Sequence, residues 1–149
     1  MLAGVGPGEA ALRARLGDAA TFLGWLRGAE LARAYASADA FVFASQTDTF
    51  GQVILEAQAG GLPVVAVDAG GPASLIEAGV SGMLAGPSVP QLAEALLAVT
   101  GSELLRSRLR RGGLAAVRTR SWERALDRLG AGYRRALDPG ARSGAREIA

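Results

Sequence analysis

The sequence predicts an α/β fold: a doubly wound, Rossmann-like parallel sheet with helices on both faces. Two observations lead there. Short apolar runs alternate with helical patterns along most of the chain, the signature of parallel strands joined by crossover helices. Most of these runs end in a polar or glycine-rich loop: Gly6-Pro-Gly8, Gly24-Trp-Leu26, Ser45 to Gly51, and Asp68 to Pro72. Length and composition permit the fold. The chain has 149 residues, 50% of them hydrophobic and 20% charged, which suits one globular domain with a real core.

Each element has a local reason. Leu2 to Val5 reads as the end of a strand, with Gly6-Pro-Gly8 as its turn and a helix from Glu9 to Leu16. Strand, glycines and helix can cradle a phosphate, although two glycines around a proline also make a simple tight turn. Thr21-Phe-Leu23 is a short strand. A helix from about Ala29 to Ser37 carries Leu31, Ala34 and Tyr35 on its apolar side, and Ala40 to Ala44 is the next strand. Trp25 either stacks on a base or anchors the surface. Thr49 and Gln52 have capping-box spacing for a helix through Ala57, ended by Gly60-Gly61. Pro63 to Val67 is a strand, a helix follows through Ile76, and Met83-Leu-Ala85 is the last strand. Ser88 and Gln91 form a second capping-box pair ahead of the helix Gln91 to Val99. Glu103 to Arg111 is a charged helix, broken near Gly112-Gly113. Ser121 caps a final helix whose Trp122, Ala125, Leu126, Leu129, Tyr133 and Leu137 form a packing face. Residues 1–138 are read as the domain and 139–149 as a disordered tail.

Composition excludes several chemistries. With no Cys there are no disulfides, thiolate metal sites or thiol catalysis. With no His, a Ser-His-Asp triad is impossible, and catalysis must rest on carboxylates, hydroxyls, amides and Arg. All 16 basic residues are Arg, which reads first as compositional bias. A nucleic-acid surface is disfavoured because acidic residues interleave and the net charge is only +2. No run is long enough to span a membrane and the first residues do not read as a secretory signal, so the expectation is a cytoplasmic chain without stable membrane insertion.

Two carboxylates need explaining, Asp48 and Glu56. Eight helical steps at ~100° each leave them about 80° apart in projection, so they could line one ligand along the front of the helix. Open amides at the helix start would favour an anion. The alternative is that Asp48 caps the helix and Glu56 is a solvated flank residue. Ligands in doubly wound folds sit at the carboxyl ends of strands, where the four loops converge.

Asp48-Thr-Phe-Gly-Gln-Val-Ile-Leu-Glu56-Ala, followed by Ala59-Gly-Gly-Leu-Pro-Val-Val65, closely resembles the signature of retaining GT-B glycosyltransferases of the family-4 type, glycosyl transferases group 1. The resemblance runs from Val5 to about Tyr133. It takes in Phe22-Leu-Gly24, Tyr35-Ala-Ser-Ala-Asp39, Gly70-Gly71, Gly82-Met-Leu84 and Trp122. It implies the C-terminal, nucleotide-sugar-binding half of such an enzyme, incomplete at its N-terminal side. Asp48 would be the catalytic residue, facing the donor sugar. Glu56 would accept hydrogen bonds from the ribose hydroxyls. Amides of Thr49, Phe50 and Gly51 would face sugar and diphosphate, backbone around Leu26 would border the base, and Gly6, Gly8 and Val53 would complete the donor site. The nucleoside-diphosphate sugar is a substrate; no cofactor and no metal is implied.

Three positions depart from the family pattern: Asp48 where Glu is more usual, Ser74 where many members carry Glu, and Gly6-Pro-Gly8 in place of a Gly-Asp-Gly turn. Family members also have an N-terminal acceptor-binding domain, and a strand and loop with an Arg and a Lys that grip the diphosphate. Neither is in this sequence. The missing strand would be central to the sheet, and its loss leaves edge groups unpaired at roughly 1–3 kcal/mol each. The same resemblance implies that the face of the final helix packs toward the absent domain and loses its cover here. The leading expectation is thus a donor-binding portion that is inactive alone. The alternative is a nucleotide-binding module working with a separate partner chain. A ligand-free receiver-like domain is disfavoured, because the first strand end lacks an acidic cluster.

Overall fold

The computed structural model describes residues 1–138; the expected tail, 139–149, lies outside the described residues. The elements follow as β1 (Leu2–Ala3), α1 (Glu9–Leu16), a 3-10 turn (Gly17–Ala19), β2 (Phe22–Gly24), α2 (Gly28–Ala36), β3 (Phe41–Phe43), α3 (Gln52–Ala59), β4 (Val64–Val67), α4 (Gly70–Leu75), β5 (Met83–Ala85), α5 (Val89–Gly101), α6 (Glu103–Arg118) and α7 (Trp122–Leu137). Every strand pairing is parallel, as the alternation requires.

The sheet is in two pieces. β1 pairs with β2, and β3, β4 and β5 form a separate three-stranded sheet with β4 in the middle. No described strand joins β1 to β3.

β4 organises the core. Val64, Val65 and Ala66 are fully buried and Val67 nearly so. Alternate side chains leave a strand on opposite faces. Val64 and Ala66 pack with Ile54, Ala57, Leu62, Leu75 and Ile76 from the α3 and α4 side. Val65 packs with Ala85, Ala95, Val99 and Leu109 from the α5 and α6 side. No residue before Gly51 is buried, so the core belongs to the second piece of the sheet.

Two sequence expectations are corrected here. The helix starting at Glu103 does not break at Gly112-Gly113; α6 runs through both glycines. A Cβ at Gly112 would collide with the Val80 carbonyl, and one at Gly113 would lie 3.2 Å from Gln58 Cγ. The pair therefore lets α6 approach α3 and the 79–82 turn, which offsets the roughly 1 kcal/mol that glycine costs inside a helix. Buried Gln58 completes this junction, donating from Nε2 to the Ser81 carbonyl at 3.0 Å. The second correction is the box at Ser88 and Gln91. Ser88 Oγ accepts from the Gln91 amide at 3.4 Å, but its hydroxyl donates to Gln91 Oε1 at 2.7 Å, so the Gln91 side chain does not reach the Ser88 amide. The final helix is capped as expected, with Ser121 Oγ accepting from the Arg124 amide at 3.3 Å. Its apolar face is without cover among the described elements: Trp122, Leu126, Leu129, Tyr133 and Leu137 stay more than half exposed.

This division of the apolar residues has a measurable consequence. Ile54→Ala should cost about 2–5 kcal/mol, because Ile54 is fully buried between α3 and β4. Leu129→Ala should stay within about 0.5 kcal/mol. Urea denaturation followed by circular dichroism compares the two.

Candidate donor site at the start of α3

Asp48, Thr49, Phe50 and Gly51 form the loop between β3 and α3. Asp48 shapes it. One carboxylate oxygen, Oδ1, accepts from the Phe50 amide at 2.9 Å and the Gly51 amide at 2.5 Å. The capping box expected of Thr49 and Gln52 is not formed. The N-cap is Gly51, at φ +82, and no side chain caps the helix. The physical reason is register: α3 begins at Gln52 with Gly51 as its N-cap, so Thr49 and Gln52 are not at the N-cap and third helical positions that a box needs. Two of the three amides expected to face the sugar and diphosphate are occupied by Asp48 in this structure.

The helical projection from Asp48 to Glu56 also fails. Asp48 precedes α3, so only Glu56 lies on the helix. Glu56 is half-buried, toward the C-terminal end of α3. Its Oε2 accepts a hydrogen bond of 3.1 Å from the Tyr35 hydroxyl of α2. The Tyr35 ring meets Phe41 of β3 edge-on, with centroids 5.7 Å apart. Sequence reasoning placed Tyr35 on an apolar helix face and missed this bond. The available signal was the hydroxyl itself, which needs a partner when its ring packs inward.

Burial, then the Glu56 charge, then the hydrogen bond to Glu56 push the Tyr35 phenol up to about 12. The unfolded phenol ionises near 10 and loses its proton first. Stability from this group is therefore full below about pH 10 and is lost as pH rises toward about 12. Melts in alkaline buffers should show that fall in the wild-type chain and less of it in Tyr35→Phe.

The paired glycines at the start of α4 serve the motif loop. A Cβ at Gly70 would sit 2.9 Å from the Asp48 carbonyl, and one at Gly71 would collide with the backbone of Thr49 and Phe50. The Gly71 amide donates to that Asp48 carbonyl at 3.1 Å. Their bareness is demanded by packing within the chain. Gly6 and Gly8 differ: nothing lies within 4 Å of a Cβ at either, and neither has a positive φ. Leu26 lies half-buried in the loop between β2 and α2, beside Trp25, whose ring faces the Arg27 guanidinium at 5.7 Å. Val53 is half-buried in the first turn of α3.

A cavity of about 410 Å³ opens between α3 and the start of α7. Phe50, Gln52, Leu55 and Leu75 line it opposite Trp122, Ala125 and a row of Arg120, Arg124 and Arg128. Neither Asp48 nor Glu56 lines it. The spacing of those three arginines along the chain was visible in the sequence and was not singled out. No helix among the described residues is long and apolar enough to cross a membrane.

The glycosyl transferases group 1 family model matches residues 1–101, which include the whole β3–α3 unit and every candidate site residue. The chain belongs to this family. The group 1 chain is 42% identical over 113 residues to a GDP-mannose-dependent alpha-mannosyltransferase of Mycolicibacterium smegmatis, covering 74% of this chain and 29% of that protein. It is 41% identical over 112 residues to D-inositol 3-phosphate glycosyltransferase 1 of Catenulispora acidiphila, covering 74% and 27%. It thus spans less than a third of these relatives. Among solved structures, sucrose-phosphate synthase of Thermosynechococcus elongatus superposes with a TM-score of 0.77 at 29% identity, covering 87% of this chain and 34% of that one. Anabaena HepE in complex with UDP-glucose gives a TM-score of 0.75 at 26% identity, covering 91% and 40%. These likenesses carry the α/β assignment and place the chain among GT-B glycosyltransferases.

Proposed function

We propose that this group 1 chain is the donor-binding portion of a retaining glycosyltransferase. The observation that carries the reading is Glu56: a half-buried carboxylate within the matched region, held by Tyr35 and following the strand-end loop of Asp48 to Gly51. A carboxylate so held suits two adjacent ribose hydroxyls, which are donors to it. The bare backbone at Gly6 and Gly8, demanded by no neighbour, suits close approach of a diphosphate. Asp48 is assigned to the donor sugar. When it turns toward the sugar it frees the Phe50 and Gly51 amides, which then meet negative charge developing on the leaving diphosphate. The substrate is a nucleoside-diphosphate sugar, the acceptor supplies a hydroxyl, and no metal or organic cofactor takes part. HepE, the fold relative bound to UDP-glucose, supports the substrate class. The relatives named for GDP-mannose make guanosine an equal candidate for the base.

The 149-residue chain by itself is expected to bind donor and transfer no sugar. Incubation with nucleotide sugars and simple alcohol or sugar acceptors, read by released nucleoside diphosphate, checks this; sustained turnover would contradict it. A second reading is a nucleotide-binding module that works with a separate chain. The split between the β1–β2 and β3–β4–β5 sheets favours it, because two open parallel edges can accept a strand from a partner.

A further inference from the structure

We infer that Tyr35 is a positioning residue for Glu56, fixing the carboxylate so that the chain distinguishes ribose from 2′-deoxyribose in its nucleotide; the inference rests on the donor-site reading above. The geometry is a fixed bracket. The phenol donates to Glu56 Oε2 at 3.1 Å, across a separation of 21 residues and between two different helices. A glutamate on a helix surface samples several rotamers, and ordering it costs side-chain entropy at the moment a ligand binds. Tyr35 supplies that order beforehand.

The tyrosine is itself held. Its ring meets Phe41 edge-on, and Phe41 stacks on Phe43 with centroids 6.3 Å apart, so β3 backs the ring. A Cβ at Gly60 would lie 3.2 Å from Tyr35 Cβ, which shows how closely α2 approaches the end of α3. The bond occupies Oε2 and no hydrogen bond to Oε1 is formed within the described residues. A carboxylate has about four acceptor positions, so one donor still leaves room for two hydroxyls. The raised phenol, about 12, agrees with a neutral donor facing a charged carboxylate across the neutral pH range.

The test compares affinities for UDP and GDP with those for their 2′-deoxy analogues in the wild-type chain, Tyr35→Phe and Glu56→Gln. Tyr35→Phe keeps the ring against Phe41 and removes only the donor, so the far-ultraviolet circular dichroism and the urea midpoint should be nearly unchanged. The expected result is a loss of affinity for the ribonucleotide of about tenfold in Tyr35→Phe, in keeping with a hydrogen bond to a charged group. The deoxynucleotide should be nearly unaffected, so the ribose preference collapses toward that of Glu56→Gln. A purely structural role would weaken both nucleotides alike. Intact ribose preference in Tyr35→Phe, alongside its loss in Glu56→Gln, overturns the inference and leaves the donor site standing. Intact affinity in Glu56→Gln overturns the donor site itself. Ultraviolet titration of the phenol in a Tyr133→Phe background needs no nucleotide. Glu56→Gln should lower the Tyr35 midpoint part of the way from about 12 toward 10, with burial keeping the remainder. An unchanged midpoint would show that the two groups do not meet in solution and would overturn the inference on its own.

Discussion

Gly71→Ala is expected to destabilise the chain by about 1–3 kcal/mol and to displace the Asp48-to-Phe50 loop in the same step. The added methyl has nowhere to go. It would meet backbone atoms of Thr49 and Phe50, which cannot rotate aside as the end of a flexible side chain can. Gly71 also donates its amide to the Asp48 carbonyl at 3.1 Å, so the loop and the first turn of α4 move together. Nucleotide binding should weaken with stability. Gly8→Ala is the control, because a Cβ there has open space and its effect on stability should be small. Urea denaturation of both variants, with calorimetric binding of UDP and GDP, separates the two roles of bare backbone. Equal stability of Gly71→Ala and the wild-type chain would mean that the loop does not pack on α4 as described.

Glu56→Ala is expected to weaken nucleoside diphosphate binding by more than about tenfold, since hydrogen bonds to a charged group contribute roughly 1.5–3 kcal/mol. Folding should change little. Glu56 is half-buried and forms no ion pair among the described residues. Its loss leaves the Tyr35 hydroxyl without its acceptor, at a partly exposed position that water can reach. A stable Glu56→Ala chain that no longer binds nucleotide would separate a binding residue from a structural one. An unchanged affinity would remove the residue on which the functional reading depends.

The parts of the fold legible in the sequence are those set by local pattern. β5 and α1 match their expected bounds, and β4 and α2 fall within a residue of theirs, because apolar runs, glycine turns and serine caps act over a few residues. The division into two sheets was not read from the sequence, because strand pairing is set by contacts across the fold. What escaped depends on long-range packing. Gly112-Gly113 looks like a helix break by propensity, yet Val80 and Gln58 require small residues there. The need for bare backbone at Gly70-Gly71 comes from the Asp48 loop packed against both, which no local pattern shows. Thr49 and Gln52 have the right spacing for a box, but the helix starts later, with Gly51 as its N-cap. Tyr35 lies 21 residues from Glu56 in sequence, and no periodicity links them. On α7 the opposite holds. The stripe from Trp122 to Leu137 reads correctly as an apolar face, and its cover is not among the described elements.

The central claim is that a nucleoside diphosphate binds at the strand-end loops beside Glu56. Amide chemical-shift mapping of the isotope-labelled chain, titrated with UDP and then GDP, tests it most directly. The account expects the largest shifts at Gly6 to Gly8, around Leu26, at Thr49 to Gly51 and at Glu56. Shifts confined to Arg120, Trp122, Arg124 and Arg128, on the α7 wall of the cavity, would place the ligand elsewhere and contradict it.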